Sequence, residues 1–456
     1  MTTHDVLDPC TAESIATFEL ATADDIDIAV AAATAALDGW KRVNTQDRAR
    51  LIRRFAEAVT DRIEELAETE ARNVGKPIDG ARWEANAVAE TLHYYAGCVD
   101  KHTGTTLPWA DGLAMTIHEP LGVVGLITPW NFPMLIASWK LGPALACGNT
   151  VVLKPSELTP LTTLRLAKLA VEAGIPEGVV NVIVGDGATA GQRLVDHPGV
   201  AKIGFTGSTP VGKHIMRCAA DQLKRVTLEL GGKSPNIVFA DADLDAAAAA
   251  IPGAVFDNAG QDCCARSRVL VERSVHDHFV EMLIDVAATV RVGSPHDDGV
   301  TMGPLISAAH RDKVASFVAG GAGEGDVAYA GTVPEGPGFW YPPTVVVGAD
   351  ERARIANEEI FGPVVAILPF DDEGDAARLA NSTPYGLSGS IWTRDGSKAM
   401  RMVRAVESGT LSVNSNSSVR YATPFGGFKQ SGVGRDLGMQ ALGHYSETKT
   451  VFMSTR

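Results

Sequence analysis

No stretch of the 456 residues approaches the roughly 20 consecutive apolar positions that a membrane-spanning helix requires. The longest apolar stretch, around Ala246 to Ala250, is short and alanine-rich. The first ten residues, MTTHDVLDPC, carry acids and no apolar segment, so nothing there resembles a secretory leader. Positive charge is in deficit: 40 lysines and arginines against 55 aspartates and glutamates leave a formal net charge of −15. Such a surface repels phosphate backbones, which argues against nucleic acid as a partner. Cysteine is scarce. Cys10, Cys98, Cys147, Cys218, Cys263 and Cys264 include one adjacent pair and no zinc spacing, so no metal site is expected. Without a leader, the even count does not imply disulfides, and a reducing cytoplasm is the expected compartment.

What is present is the composition of a soluble globular protein, 45% hydrophobic and 21% charged. The length predicts two or three domains. Residues 23–72 predict two helices, one alanine-rich from Asp24 to Trp40, the other with apolar spacing at Leu51, Phe55, Val59, Ile63 and Leu66. From about residue 121, short apolar runs alternate with helical stretches. Strands are expected at Val123–Thr128, Thr150–Leu153, Val179–Val184, Ala201–Phe205 and Val226–Leu230, with helices at 133–146, 160–173, 187–195 and 210–220. A second series predicts strands at Asn236–Phe239, Arg268–Val271, Val345–Val347, Val364–Pro369 and Leu411–Val413. Near-continuous apolar strands alternating with helices imply an α/β fold with parallel sheets covered on both faces. The Gly/Pro-rich segment 320–343 suggests loops and short strands, and residues 99–119 suggest a protruding ribbon.

Six short constellations carry the chemistry. FDNAGQDCCARSR (256–268) offers a thiol nucleophile after a Gly-Gln turn, and spacing alone allows either Cys263 or Cys264. A cysteine pair is also a common core feature. ELGGKSP (229–235) puts Glu229 at a strand's carboxyl end, suited to a general base, a turn cap or a ribose acceptor. GFTGSTPVG (204–212) is a glycine loop between strand and helix, a weak dinucleotide signal because Thr209 replaces the central glycine. VVLKPSE (151–157) supplies Lys154 and Glu157, either for ribose and phosphate or as a surface salt pair. ITPWNFP (127–133) supplies Trp130 as a ligand wall or core filler, and Asn131 as an amide donor to an oxyanion. EEIFGPV (358–364) supplies Glu359, a sugar acceptor or a helix-end acid.

Taken in their order along the chain, and with PFGGFKQSGVGR near the C-terminus, the motifs resemble those of the aldehyde dehydrogenase superfamily from about residue 8 to 452. The resemblance implies a Rossmann-type cofactor domain (1–98 and 120–231), an α/β catalytic domain (232–438) and a small β oligomerisation element (99–119 and 439–456). It implies a homodimer or homotetramer and a small-molecule aldehyde as substrate. Cys263 becomes the nucleophile, Glu229 the base, and Asn131 with the Cys263 backbone N–H the oxyanion hole. Cofactor contacts are implied for Thr128, Trp130, Lys154, Ser156, Glu157, Gly187, Gly207, Ser208, Val211, Leu230, Glu359 and Phe361. NAD is favoured because Glu157 would repel the 2′-phosphate of NADP, though NADP remains open. Ile136, Trp139, Asp262, Cys264, Val419 and Phe425 would line the substrate tunnel, and Asp262 suggests an amino- or trimethylammonio-aldehyde. A CoA-acylating relative and an inactive binding relative are the alternatives; Glu229 argues against the first and Cys263 against the second. Two departures stand out: a short N-terminus without a leading hairpin, and GGFK (426–429) where the family has GGYK.

Overall fold

The computed structural model describes residues 2–320 and 323–455; Met1, Arg456 and two positions of the Gly/Pro-rich segment, Gly321 and Ala322, lie outside them. The strands form a six-stranded, a seven-stranded, a three-stranded and a two-stranded sheet. In the six-stranded sheet the spatial order is Gly432–Val433, Arg225–Glu229, Val200–Thr206, Val123–Ile127, Thr150–Lys154, Val180–Val182. All neighbours run parallel except Gly432–Val433, which pairs antiparallel through Gly432 opposite Glu229. Every residue of Val123–Ile127 and Thr150–Lys154 is buried, as expected for apolar strands covered on both faces. The chain runs from Val123–Ile127 outward to one edge and returns to build the other side. The order therefore reverses between Val123–Ile127 and Val200–Thr206, and their carboxyl ends flank a crevice.

The seven-stranded sheet is ordered Asp326–Ala330, Thr344–Val347, Val364–Phe370, Arg268–Glu272, Pro235–Val238, Ser388–Trp392, Thr410–Val413, with only the first strand antiparallel. Glu229 ends one sheet and Pro235 begins the other, so the short link Leu230–Ser234 joins them. Carboxyl ends of the first sheet thus meet amino ends of the second, and the segments before Pro235, Arg268 and Val364 all arrive at this junction.

Local structure departs from expectation in four places. The second helix is two, Thr45–Thr60 and Ile63–Val74, because Arg62 leaves helical backbone at φ −126°, ψ 22°. A long helix, Ile78–Cys98, follows; its mixed Ala, Thr and Tyr content hid its periodicity, yet it contributes Val88, Leu92 and Tyr95 to the core. The N-terminus does form a hairpin, Thr3–Leu7 with Ser14–Glu19, and the turn is closed with Ala12 at φ 59°. Strand Ser388–Trp392 is buried despite its serines, because Ser390 bonds Arg266 and Ser412. The expected ribbon is present: Gly112–Pro120 pairs with Thr106–Leu107 and with Ser446–Ser454. Among the described residues, no helix is long and apolar enough to cross a membrane.

Candidate active site

Two cavities open side by side at the strand-order reversal. One, of about 240 Å³, is lined by Trp130, Asn131, Ile136, Glu229, Leu230, Cys263, Glu359 and Phe361 among others. The second, of about 300 Å³, is lined by Thr128, Lys154, Ser156, Glu157, Gly187 and Val211 among others. Pro129, Trp130, Thr206, Gly207 and Ser208 wall both. The motifs converge because each follows a strand end or precedes a strand start at this junction. His310 and Lys313 in the first cavity, and Gln192 and His214 in the second, had no sequence signal beyond their helices. Trp139 and Val419 line a third, outer cavity with Trp83, Glu90, Arg420 and Tyr421.

Cys263 sits on a strained turn. Asn258, Ala259 and Gly260 all adopt left-handed backbone, at φ 48°, 56° and 68°. Strain of this kind persists only where surrounding bonds hold it. Gln261 supplies several: its Nε2 donates to the Asn258 carbonyl at 3.0 Å, and its Oε1 accepts from Ile306 N–H at 2.9 Å. The Asn131 side-chain amide donates to the Gln261 carbonyl at 2.8 Å. Cys263 is half-buried and lines the cavity, whereas Cys264 is buried behind it with Sγ 4.0 Å away. The contact with Cys264 pushes the Cys263 thiol well above its ordinary pKa, and burial adds to the rise. Asp262 does not line the cavity at Cys263; its carboxylate accepts from Cys264 N–H at 2.9 Å and so tightens the cysteine turn. Phe425 is buried, with its ring centroid 5.3 Å from that of Trp139. Although the cysteine spacing gave no metal pattern, ligand atoms of Asp262, Cys263 and Cys264 lie within 4.8 Å of one another.

Glu229 is buried, and neither carboxylate oxygen has a hydrogen-bond partner among the described residues. Burial holds its carboxyl well above the usual range; Asp436 adds to this, and Lys140 and Arg435 oppose it. Asp436 and Lys140 form a fully buried pair at 2.6 Å. Gly426 makes room for Glu229: a Cβ there would lie 2.6 Å from Oε1, and its φ of +154° suits glycine.

The second cavity has the chemistry of a dinucleotide groove. Helix Thr209–Ala220 begins there, and the Ser208 side chain does not cap it, so its first N–H groups are available to an anion. Lys154 is buried, donates to the Pro155 and Gly185 carbonyls, and lies 3.6 Å from Glu157. In the first cavity, Glu359 accepts from Gly232 N–H at 2.9 Å, and burial raises its pKa. Phe361 has φ 61°, and its ring meets Trp130 edge-on at 5.3 Å. His310 packs 5.3 Å from Trp130, and burial lowers its pKa to about 4, so the ring is neutral. Its Nε2 donates to the Phe361 carbonyl at 2.7 Å and holds that backbone. These residues fit a dinucleotide spanning both cavities: carboxylates for two riboses, an uncapped helix start between them, and aromatic walls.

The family model for the aldehyde dehydrogenase family matches residues 1–451. The chain belongs to that family. It is 45% identical to an aldehyde dehydrogenase of Emericella nidulans, over 98% of this chain and 91% of the relative. It is 42% identical to the betaine aldehyde dehydrogenase of Bacillus subtilis, over 99% and 94%. The cytosolic 10-formyltetrahydrofolate dehydrogenase of Xenopus tropicalis is 43% identical, but the chain spans only about half of it, 51%. Among solved structures, the betaine aldehyde dehydrogenase of Staphylococcus aureus with NAD+ superposes with a TM-score of 0.97 at 38% identity, covering 100% of this chain and 92% of the other. Aldehyde dehydrogenase members thus share this α/β architecture over the full described chain.

Proposed function

We propose that the chain is an NAD-dependent dehydrogenase that converts an aldehyde to a carboxylic acid through a thioester on Cys263. The carrying observation is that Cys263, Asn131 and Glu229 line one cavity that shares the wall Pro129, Trp130 and Thr206–Ser208 with the second cavity. Lys154, Ser156 and Glu157 would hold the adenosine ribose, Gly207 and Ser208 the pyrophosphate, and Glu359 the second ribose. Trp130, Leu230 and Phe361 would wall the nicotinamide. Bound there, NAD supplies the hydride acceptor that takes the thiol adduct to a thioester.

The chain's own residues do the rest. The Cys263 thiol gives its proton to water in the cavity as its sulfur attacks the aldehyde carbon. The free N–H of the Asn131 amide and the Cys263 backbone N–H stabilise the oxyanion, an effect of roughly 3–4 kcal/mol per donor. Glu229, with its carboxyl raised well above the usual range by burial, takes a proton from the water that releases the acid. Glu157 beside Lys154 favours NAD over NADP. Hydrolysis by Glu229 makes free acid the product and disfavours transfer to CoA. Reduction of NAD by the purified chain on an aldehyde panel, with Cys263→Ala as control and free acid measured as product, tests this directly.

The outer cavity carries the substrate reading. Asp262 is committed to its own turn, so support for a cationic tail passes to Glu90 with Trp83, Trp139 and Tyr421. An amino- or trimethylammonio-aldehyde suits these groups, in keeping with the betaine aldehyde dehydrogenases among its relatives. Equal activity on betaine aldehyde, 4-aminobutanal and hexanal would end that reading. The ribbon sheet exposes Phe452 and Trp109, which suits pairing with a second copy in a homodimer or homotetramer; light scattering decides the state.

A further inference from the structure

One buried cation near the site has no part in the chemistry above. Lys76 lies in the short turn between helices Ile63–Val74 and Ile78–Cys98, and only 3% of it is exposed. The preceding Gly75 adopts φ +85° and ends the first helix. The Lys76 ammonium pairs with Glu84 and lies 3.7 Å from Glu70, both buried. It stands 4.4 Å from the centre of the Phe132 ring. Its remaining bond reaches out of the helical layer: Nζ donates to the backbone carbonyl of Asn131 at 2.9 Å.

That carbonyl is held twice. Asn258, in the left-handed turn before Cys263, also donates its side-chain amide to it at 2.9 Å. On the other side of the same residue, the Asn131 amide is bonded to the Gln261 carbonyl. One of its two N–H bonds is therefore spent on orientation, and the second is left for the cavity. The direction of that second N–H depends on where the Asn131 backbone is pinned. Two carboxylates around one ammonium exceed what a plain interhelical salt bridge needs. The lysine is anchored from behind by Glu70 and Glu84 and points forward at Asn131.

We propose that Lys76 is a positioning residue for aldehyde oxidation: its ammonium fixes the Asn131 backbone so that the side-chain amide faces the oxygen of the Cys263 adduct. The proposal rests on the function proposed above. It explains why an N-terminal helical turn far from the nucleophile in sequence carries a fully buried lysine aimed at the site loop. Removing one oxyanion donor lowers kcat by about 10²–10³, and displacing it without removing it costs less, so roughly a 10–100-fold loss is expected for Lys76 variants.

The test is a double-mutant cycle in the full chain between Lys76→Met and Asn131→Ala, with kcat and both KM values measured. Lys76→Met strands two buried acids, so Lys76→Met/Glu84→Gln is run beside it to remove one of them. Expected are a kcat loss in both Lys76 backgrounds, a KM for NAD within about threefold of the parent, and little further loss when Asn131 is already alanine. If the Lys76 and Asn131 losses multiply in full, or if Lys76 variants lose thermal stability but keep parental kcat, Lys76 is structural only. If Asn131→Ala alone keeps parental kcat, or Cys263→Ala remains active, the functional reading itself falls and the proposal falls with it.

Discussion

Gly232 packs directly on Cys263: a Cβ built on Gly232 would lie 2.3 Å from the Cys263 carbonyl oxygen. The preceding Gly231 stands in the same relation to Glu359, with a distance of 2.5 Å to Oε2. The two glycines that follow Glu229 therefore let the thiol turn and the Glu359 carboxylate close on the link between the sheets. Gly232→Ala must push the cysteine turn away. Displacements of about 1 Å near reacting atoms cost on the order of 10²-fold, so kcat should fall by roughly that factor. Overpacking should also remove about 1–3 kcal/mol of stability. Gly231→Ala should instead raise KM for NAD, because it displaces Glu359. Steady-state kinetics separates the two, and similar kcat losses with unchanged KM for NAD in both would contradict this assignment.

The cysteine pair gives a second test. Cys264 is the leading cause of the raised Cys263 pKa. Cys264→Ala removes that contact, so the Cys263 thiol should ionise at lower pH and react faster with iodoacetamide at neutral pH. Cys264→Ala should keep most of the dehydrogenase activity, while Cys263→Ala abolishes it. The pH dependence of alkylation reads the shift, and an unchanged profile in Cys264→Ala would remove Cys264 as its cause.

These pairs also mark what a sequence discloses. The five parallel strands of the six-stranded sheet were legible because each is a short apolar run bounded by turn residues, whereas the two-residue edge strand Gly432–Val433 carries no such run. The motifs were legible because GFTGST and ELGGK sit at strand ends of this sheet, and GQDCC lies shortly before strand Arg268–Glu272 of the other. The strand Ser388–Trp392 was not, since its buried serines are satisfied by Arg266 and Ser412, partners distant in sequence. Helix Ile78–Cys98 buries one face, but Glu84 and Thr91 are among its buried residues and Trp83 is exposed, which blurs the apolar stripe. His310 reaches the site only through the Phe361 carbonyl, a contact with no local pattern. Lys76 was readable in principle, since Gly-Lys-Pro between two helices is an odd place for a cation. Its target, Asn131, is set by packing between layers.

Glu229 yields a stability prediction with a definite sign. Its carboxyl is raised in the fold by burial, then by Asp436. A raised acid favours folding most below its unfolded pKa and loses that contribution as pH rises through the folded value. Ionised Glu229 is then a buried charge without a hydrogen-bond partner. Glu229→Gln removes that charge, so its melting temperature should exceed that of the parent at alkaline pH, and the gap should close toward acid pH. The same variant should stall at the acylated thiol, which intact-mass analysis would detect. A gap that widens toward acid pH would mean that the carboxyl is lowered in the fold.

The proposed preference for NAD is assigned to one carboxylate. Glu157 is 31% exposed at the second cavity and lies 3.6 Å from the buried Lys154 ammonium. Lys154 already donates to the Pro155 and Gly185 carbonyls, so its place does not depend on Glu157. In Glu157→Gln the cation remains while the negative charge facing a 2′-phosphate is gone. The ratio of kcat/KM for NAD to that for NADP should fall about tenfold, equivalent to roughly 1.4 kcal/mol. Most of the change should appear as a lower KM for NADP, because the substitution alters binding far from the thiol. The effect should shrink at high salt, since a half-exposed charge is screened there. A ratio that does not move would transfer the selectivity to the shape of the groove around Val211 and Gln192.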